Sequence, residues 1–498
     1  MEHTDAAQVA ALLGALGAVL VLVPRDRFLP LAGLVLLGLG SAGIARSLVG
    51  DDDVDRLVRE PAGLALGGVA LVAALVAAIP LVRWPEAVPV VLLSAAPFRV
   101  PVMVGGDEAF LLLPIYFVLT ASVLALAYRV ARGERPPSPP FLLALPLAAF
   151  VAFSAASFLW TWDVRQGGIM LTFFVFPFTA AFAVVARSPL AAWLPRALLV
   201  TLVALGTIFA GIGLWQAHTR TVFFARDVEV ANAYTSFFRV TSVFKDPSLY
   251  GRYLVVPIAV LLVVILIRRG RTVDWVVAGA FVAFLFWGLF YSYSQSSFVA
   301  LFVVTFAVAL LGAGRRLRLV LLACATVAVV GASAYAAHAV QGRSTQDATS
   351  GRSRLVTVTL DAFAARPIAG VGVGGQPKAS AEESGKGSAG RNASHTTPLT
   401  VLADGGLIGF SLYVWLLGAA GWALLLVTRQ DRVLGVGLAV VLLGLFVHSL
   451  LYAGFFEDPL TWGLLGVAAA ALVAVPAPRT ALEEREDAAP GTPRLLAH

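Results

Sequence analysis

Residues 197–216, ALLVTLVALGTIFAGIGLWQ, run the length of a bilayer-spanning helix without one charged side chain. A helix rises about 1.5 Å per residue, so roughly 20 such residues cross the hydrocarbon core of a membrane. The run is continuous, whereas a barrel strand would alternate apolar and polar positions. It therefore predicts a transmembrane helix. Runs of the same kind recur before it at roughly 6–23, 28–46, 61–80, 86–104, 109–129, 141–160 and 167–186. They continue after it at roughly 247–267, 275–292, 297–313, 318–337, 399–427, 433–453 and 459–476. The run at 86–104 is broken by prolines and reads either as a span or as a re-entrant segment, so the expected count is 14 or 15.

The whole composition agrees with this reading. The 498 residues are 59% hydrophobic and 13% charged, and the mean hydropathy is +0.87. A soluble domain could not bury that much apolar surface, so the fold class is an all-α, polytopic integral membrane protein whose first partner is the lipid bilayer. The formal charge of +7 is spread over small arginine clusters between spans, which argues for membrane topology and against a nucleic-acid partner. Cys324 is the single cysteine, so neither a disulfide framework nor a thiolate metal site is available. The N-terminus lacks the basic region of a cleaved signal peptide, and residues 6–23 read as a retained first span.

Orientation follows from the short connectors. Those carrying Arg129, Arg132 and Arg135, then Arg187 and Arg196, Arg268, Arg269 and Arg271, Arg315, Arg316 and Arg318, and Arg429 and Arg432 belong in the cytoplasm. The alternate connectors around Trp162, Ser294 and Glu457 are poor in Lys and Arg and belong outside. Five regions result: N-terminal helices over 1–216, central helices over 217–337, a large external loop over 338–396, C-terminal helices over 397–476 and a disordered cytoplasmic tail over 477–498. The spans hold few carboxylates or lysines, and no internal repeat is visible, which argues against an ion-coupled carrier.

Polar chemistry concentrates in three external blocks. Arg239 to Leu254 carries Arg239, Lys245 and Arg252 around an Asp246-Pro247 turn, and cations with a close-approach Gly at a helix start suit an anion. Residues 351–363 have apolar positions at helical spacing and predict an amphipathic helix on the membrane surface. Pro367 and Gly370 end it, the run Gly370 to Gly375 lets the backbone approach a ligand or another helix, and 376–394 reads as a mobile flap or linker. The third block holds His395 and then Asp404, which is either a ligand or a cap for the Gly405-Gly406 break. His218, His338, His395 and His448 fall in or near external loops, where imidazole suits proton transfer. Their spacing matches no metal motif, and no metal or cofactor is expected.

In this order the blocks resemble the O-antigen ligase and polymerase superfamily of bacterial envelope glycan enzymes, over roughly residues 235–470. Arg239 with Ser242, Phe244 and Asp246-Pro247-Ser248 is similar to the family's first block. Arg352 matches the loop arginine, Pro367 to Gly372 the Pro-Leu-x-Gly-Val-Gly stretch, His395 the catalytic-type histidine, and Ala403 to Gly406 the acidic-Gly stretch. His448 with Asp458 and Trp462 matches the closing signature. Ser294-Gln295-Ser296 stands where Ser-Arg-Gly is usual, Thr396 replaces Asn and Asp404 replaces Glu.

The resemblance implies a GT-C-like membrane glycosyltransferase, metal-independent, working on the outer face of the bacterial cytoplasmic (inner) membrane. Its donor would be a polyprenyl-diphosphate-linked glycan and its acceptor a glycan, a lipid or a protein. His395, Arg239 and Arg352 would be catalytic, and Arg252, Lys245, Asp404 and His448 would bind substrate. A lipid-linked oligosaccharide flippase or a noncatalytic assembly scaffold are the other classes that the same polar groups could serve.

Overall fold

The computed structural model describes residues 2–48, 61–104, 107–268, 272–322, 352–385 and 388–474. Among them, 12 helices are long and apolar enough to cross a membrane. The protein is thus an all-α polytopic membrane protein. The expected span at 318–337, most of which follows Leu322, and His338 lie outside the described residues.

The N-terminal half comprises α1 (Glu2–Leu22), α2 (Leu29–Leu48), α3 (Pro61–Arg83), the short α4 (Val88–Ala95), α5 (Leu113–Ala131), α6 (Phe141–Ala156), α7 (Val164–Ala186) and α8 (Leu194–Thr219). A π-helical turn at Leu171–Val175 interrupts α7. The short α9 (Arg226–Ala233) leads to α10 (Pro247–Leu266), α11 (Thr272–Phe290) and α12 (Gln295–Gly312). The remainder is α13 (Arg352–Ala365), α14 (Gln376–Ser384), α15 (Thr397–Gln430), α16 (Arg432–Ser449) and α17 (Pro459–Ala474). Helices α7, α10 and α17 are the bundle's interior: Phe176, Phe182, Tyr250, Leu254 and Trp462 are all buried.

Two contacts define the ends of the bundle. Gln8 near the start of α1 donates to the Leu159 carbonyl beyond α6 (3.3 Å), and this is the loop end, since Val371 and Val373 of the polar segment also meet residues 157–162 there. At the opposite, arginine-rich end, Arg187 donates to the Val21 carbonyl (2.6 Å).

The run at 86–104 does not form a full span. Helix α4 stops at Ala95, and Val100–Val104 pairs antiparallel with Asp107–Leu111, Val100 opposite Leu111 and Val104 opposite Asp107. Proline is the cause: Pro97 and Pro101 have no amide hydrogen to continue a helical ladder, while an edge strand tolerates them. The pairing also delays the next span, so α5 begins at Leu113 rather than near 109.

The segment read as a mobile flap is packed instead. Gln376, Ala379 and Ser380 of α14 are buried, as is Asn392. Composition alone predicts a linker there, but the Gln376 side chain is a four-way junction. Its amide nitrogen lies within hydrogen-bond distance of Thr359, Ser380 and the Asn392 carbonyl, and its oxygen accepts from the Ser394 amide (2.9 Å). Helix α13 forms as expected and buries Val358, Thr359 and Ala362, leaving Val356 and Leu360 exposed.

Candidate functional site

Helix α10 starts at the loop end because Asp246 caps it, its carboxylate accepting from the amides of Ser248 (2.6 Å) and Leu249 (3.3 Å). Just over a turn further on, Arg252 is buried, 2% exposed. A buried guanidinium must have its donors satisfied and its charge paired. Nη1 donates to Asp458 (2.7 Å) and to the Gly454 carbonyl (2.9 Å). Nε and Nη2 both point at Nδ1 of His448, at 3.3 and 3.1 Å.

That geometry determines the imidazole's tautomer. A guanidinium only donates, so Nδ1 accepts and the ring proton sits on Nε2. Nε2 lies 3.1 Å from the Ser248 carbonyl, which only accepts, and 3.1 and 3.2 Å from the hydroxyls of Ser296 and Ser297. Ser294 joins both hydroxyls at 3.0 and 2.9 Å. The result is one polar chain from Asp458 through Arg252 and His448 to the N-terminus of α12.

Arg252 forms one wall of a cavity of about 200 Å³ at the loop end. Arg99, Tyr253, Tyr452, Glu457 and Asp458 supply its other polar groups, and Pro97, Phe244 and Leu249 its apolar side. Arg99 stands between α4 and the hairpin, half-buried, and makes no hydrogen bond or ion pair among the described residues. Arg252 has most of its donors committed, so Arg99 is the cation with capacity left for a ligand. Burial pushes the Glu457 carboxyl up from its ordinary value, partly offset by its own backbone and by Arg252. Burial likewise raises the Tyr452 phenol.

Arg239 belongs to the same chain of contacts by a longer route. Its Nε donates to the Ser292 carbonyl (3.2 Å), and the Ser292 hydroxyl accepts from the Ser294 amide (3.1 Å). Asn232 holds the Arg239 backbone on both sides at 2.9 Å. The following bend is fixed by buried Gln216, whose oxygen accepts from Thr241 and Ser242 and whose nitrogen donates to the Ser242 carbonyl.

The Gly run serves a different purpose. It threads between the α6–α7 turn and a break in α15, where Gly406 adopts φ 61° and ψ −161°. Val371 and Gly372 donate to the carbonyls of Ala403 and Asp404, both at 2.9 Å, and Trp162 donates to Val371 (2.9 Å). Gly370 and Gly372 have φ of +71° and +89°, and a Cβ on either would run into backbone of Asp404 or Thr161. Both carboxylate oxygens of Asp404 are engaged, one by the Gly374 amide (2.9 Å) and one by the Gln376 amide at the start of α14 (2.8 Å). Asp404 thus clamps the loop to α15.

The expected site residues therefore do not gather in one place. Arg252 and His448 touch each other, and Arg252 borders the cavity. Arg239 braces the α11–α12 turn, and Lys245 is exposed one residue before the α10 cap. His395 is exposed beside Thr396 and Thr397, whose hydroxyls meet the Leu450 carbonyl (3.0 Å) and the Gly454 amide (3.3 Å) on the segment that carries Tyr452 and Glu457. Arg352 opens α13, and its side chain lies outside what the structure describes. Gln295, in the place of the usual arginine, is exposed. Sequence reading missed Arg99 and Glu457 as site residues, and took Ser294-Gln295-Ser296 only as a departure from the family pattern. Arg99 carried the one available signal, an arginine inside an apolar run, which is costly unless it serves a site.

Residues 280–414 match the family model described as O-antigen ligase. The matched region runs from α11 to the first half of α15 and includes the Ser294 to Ser297 turn, the Gly run, His395 and Asp404. No curated protein matches the chain. With its many apolar helices the chain is a multi-pass membrane protein, and its region 280–414 is similar to the O-antigen ligase family.

Proposed function

We propose that the protein is a glycosyltransferase that moves a glycan from a polyprenyl-diphosphate-linked donor to an acceptor hydroxyl, at the outer face of the inner membrane and without a metal ion. The bond between the anomeric carbon and the diphosphate oxygen breaks, and its electron pair leaves on the diphosphate. The acceptor oxygen forms the new glycosidic bond, and its proton passes to His395. The barrier falls when fixed cations meet the charge that develops on the leaving group.

The observation that supports this reading best is the cavity of about 200 Å³ in which Arg99 faces the wall formed by Arg252. Arg252, held by Asp458 and His448, is pre-oriented and costs no reorganisation when charge appears. Arg99 supplies the uncommitted donors, which a guanidinium can offer in pairs to phosphate oxygens. The apolar side of Phe244 and Leu249 gives the start of a lipid tail a dry surface. Lys245, just before the α10 cap, and Arg239, at the α11–α12 turn, add positive potential at the loop end, and the acceptor, whether glycan, lipid or protein, approaches from the side of His395 and Arg352.

Turnover of a polyprenyl-diphosphate-linked glycan by the purified protein, by His395→Ala and by Arg352→Ala, each with a chelator present, tests this. Product from the wild type, with both variants losing about 10²–10⁴-fold, is the expected result. Binding of donor without turnover in the wild type would replace the transferase by a carrier or scaffold.

A further inference from the structure

At the arginine-rich end, opposite the candidate site, a second cavity of about 440 Å³ opens between the α1–α2 turn, the α5–α6 connector and the end of α7. Four of its lining residues are arginines, Arg25, Arg27, Arg135 and Arg187, against one carboxylate, Asp26. That carboxylate is already engaged: Asp26 accepts from the amides of Phe28 (2.7 Å) and Leu29 (3.0 Å) at the start of α2. Among the described residues none of the four guanidinium groups makes an ion pair.

Arg187 is the unusual member. It is 4% exposed, and its described bonds go only to the carbonyls of Ala183 (3.1 Å) and Val21 (2.6 Å). A topological arginine snorkels to water; this one is enclosed with its charge unpaired, which is costly unless an anion completes the site. Burial pulls its guanidinium down to about 10, the direction expected of a cation without a counter-ion. Arg25 is held over the face of Phe141, 3.6 Å from the ring centroid, so the rim arginine is fixed in place as well. Phe28, Leu31, Leu126 and Val130 form an apolar flank beside the charges.

We propose that this cavity binds a phosphate-bearing anion, with an anionic phospholipid headgroup seated among Arg25, Arg27, Arg135 and Arg187 and its acyl chains along the apolar flank. Basic pockets between transmembrane helices suit such headgroups. The site is separate from the donor cavity and does not depend on the proposed reaction.

The test is native mass spectrometry of the full-length protein in detergent, comparing phosphatidylglycerol with phosphatidylcholine, alongside thermal-shift measurements with inorganic pyrophosphate. The variant is Arg25→Gln with Arg135→Gln, both at the exposed rim; Arg132→Gln, on the same connector but not lining the cavity, is the control. Retained phosphatidylglycerol in the wild type and in the control, with binding about 30-fold weaker in the double variant, is expected from roughly a factor of five per basic side chain. A shift with pyrophosphate that the double variant loses, without preference for the lipid, would assign the site to a soluble anion. No preference for either anion in the wild type, or equal binding by the double variant, would overturn the proposal.

Discussion

Nδ1 of His448 accepts from the guanidinium of Arg252 at 3.1 Å across 196 positions of sequence. Only the unprotonated Nδ1 can do this, so the imidazole acts as a positioning residue for the cation, with its own proton committed to Ser248 and the serine cluster. His448→Ala should leave two guanidinium donors unsatisfied in a buried place and cost about 1.5–3 kcal/mol. His448→Asn keeps an acceptor of similar reach and should lose less. Thermal denaturation in detergent ranks the two, and the donor KM should rise more in His448→Ala than in His448→Asn. Equal stability of both variants and wild type would remove His448 from this role.

Gly372 is the point at which the loop passes closest to the α6–α7 turn. Its φ of +89° and the Thr161 backbone beside it leave no room for a side chain. Gly372→Ala should cost about 1–3 kcal/mol locally and loosen the loop from α15 without unfolding the bundle. Hydrogen exchange should then accelerate at Val371, Gly372 and Gly374, whose amides are bonded in the wild type, while amides within α10 keep their protection. Unchanged exchange at those three positions would show that the clamp does not depend on this glycine.

Glu457 gives the cavity a pH dependence of definite sign. Its carboxyl is raised above the ordinary value of 4.5 by burial, so the folded state holds a proton that the unfolded state has released. Stability from this group is present below pH 4.5 and is lost as pH rises through the folded value. Ionisation also adds a negative charge beside Arg252 and Arg99, which weakens an anionic ligand. Thermal midpoints measured across that window should fall with pH in the wild type relative to Glu457→Gln, and the donor KM should rise more steeply in the wild type. Parallel profiles for the two proteins would contradict this.

The apolar runs made most of the bundle legible in the sequence, because a span must satisfy its own backbone and so declares itself by length and composition. The run at 86–104 reads as a span or a re-entrant segment because of its prolines, and the structure ends its helix at Ala95 and pairs Val100–Val104 with Asp107–Leu111. The candidate site was legible only in part. Arg252, His448 and Asp458 could be singled out one by one, but their meeting joins positions 196 and 206 residues apart, and no spacing rule reaches that far. Asp404 was read as a ligand or a cap, and only the loop's path shows both its oxygens taken by main-chain amides. The stretch 376–394 looked like a linker because small polar residues dominate it, yet one buried glutamine organises it.

The central claim is that the cavity bordered by Arg99 and Arg252 receives the donor's diphosphate, and Arg99→Gln tests it most directly. Arg99 lies outside the matched region at 280–414 and bonds no described residue, so the bundle should fold normally without it. With purified protein and a polyprenyl-diphosphate-linked glycan, turnover should fall about 10²–10³-fold, as for the loss of one preorganised donor to a developing anion. The thermal midpoint should stay unchanged. Turnover equal to wild type in a folded Arg99→Gln would contradict the account and place the diphosphate elsewhere.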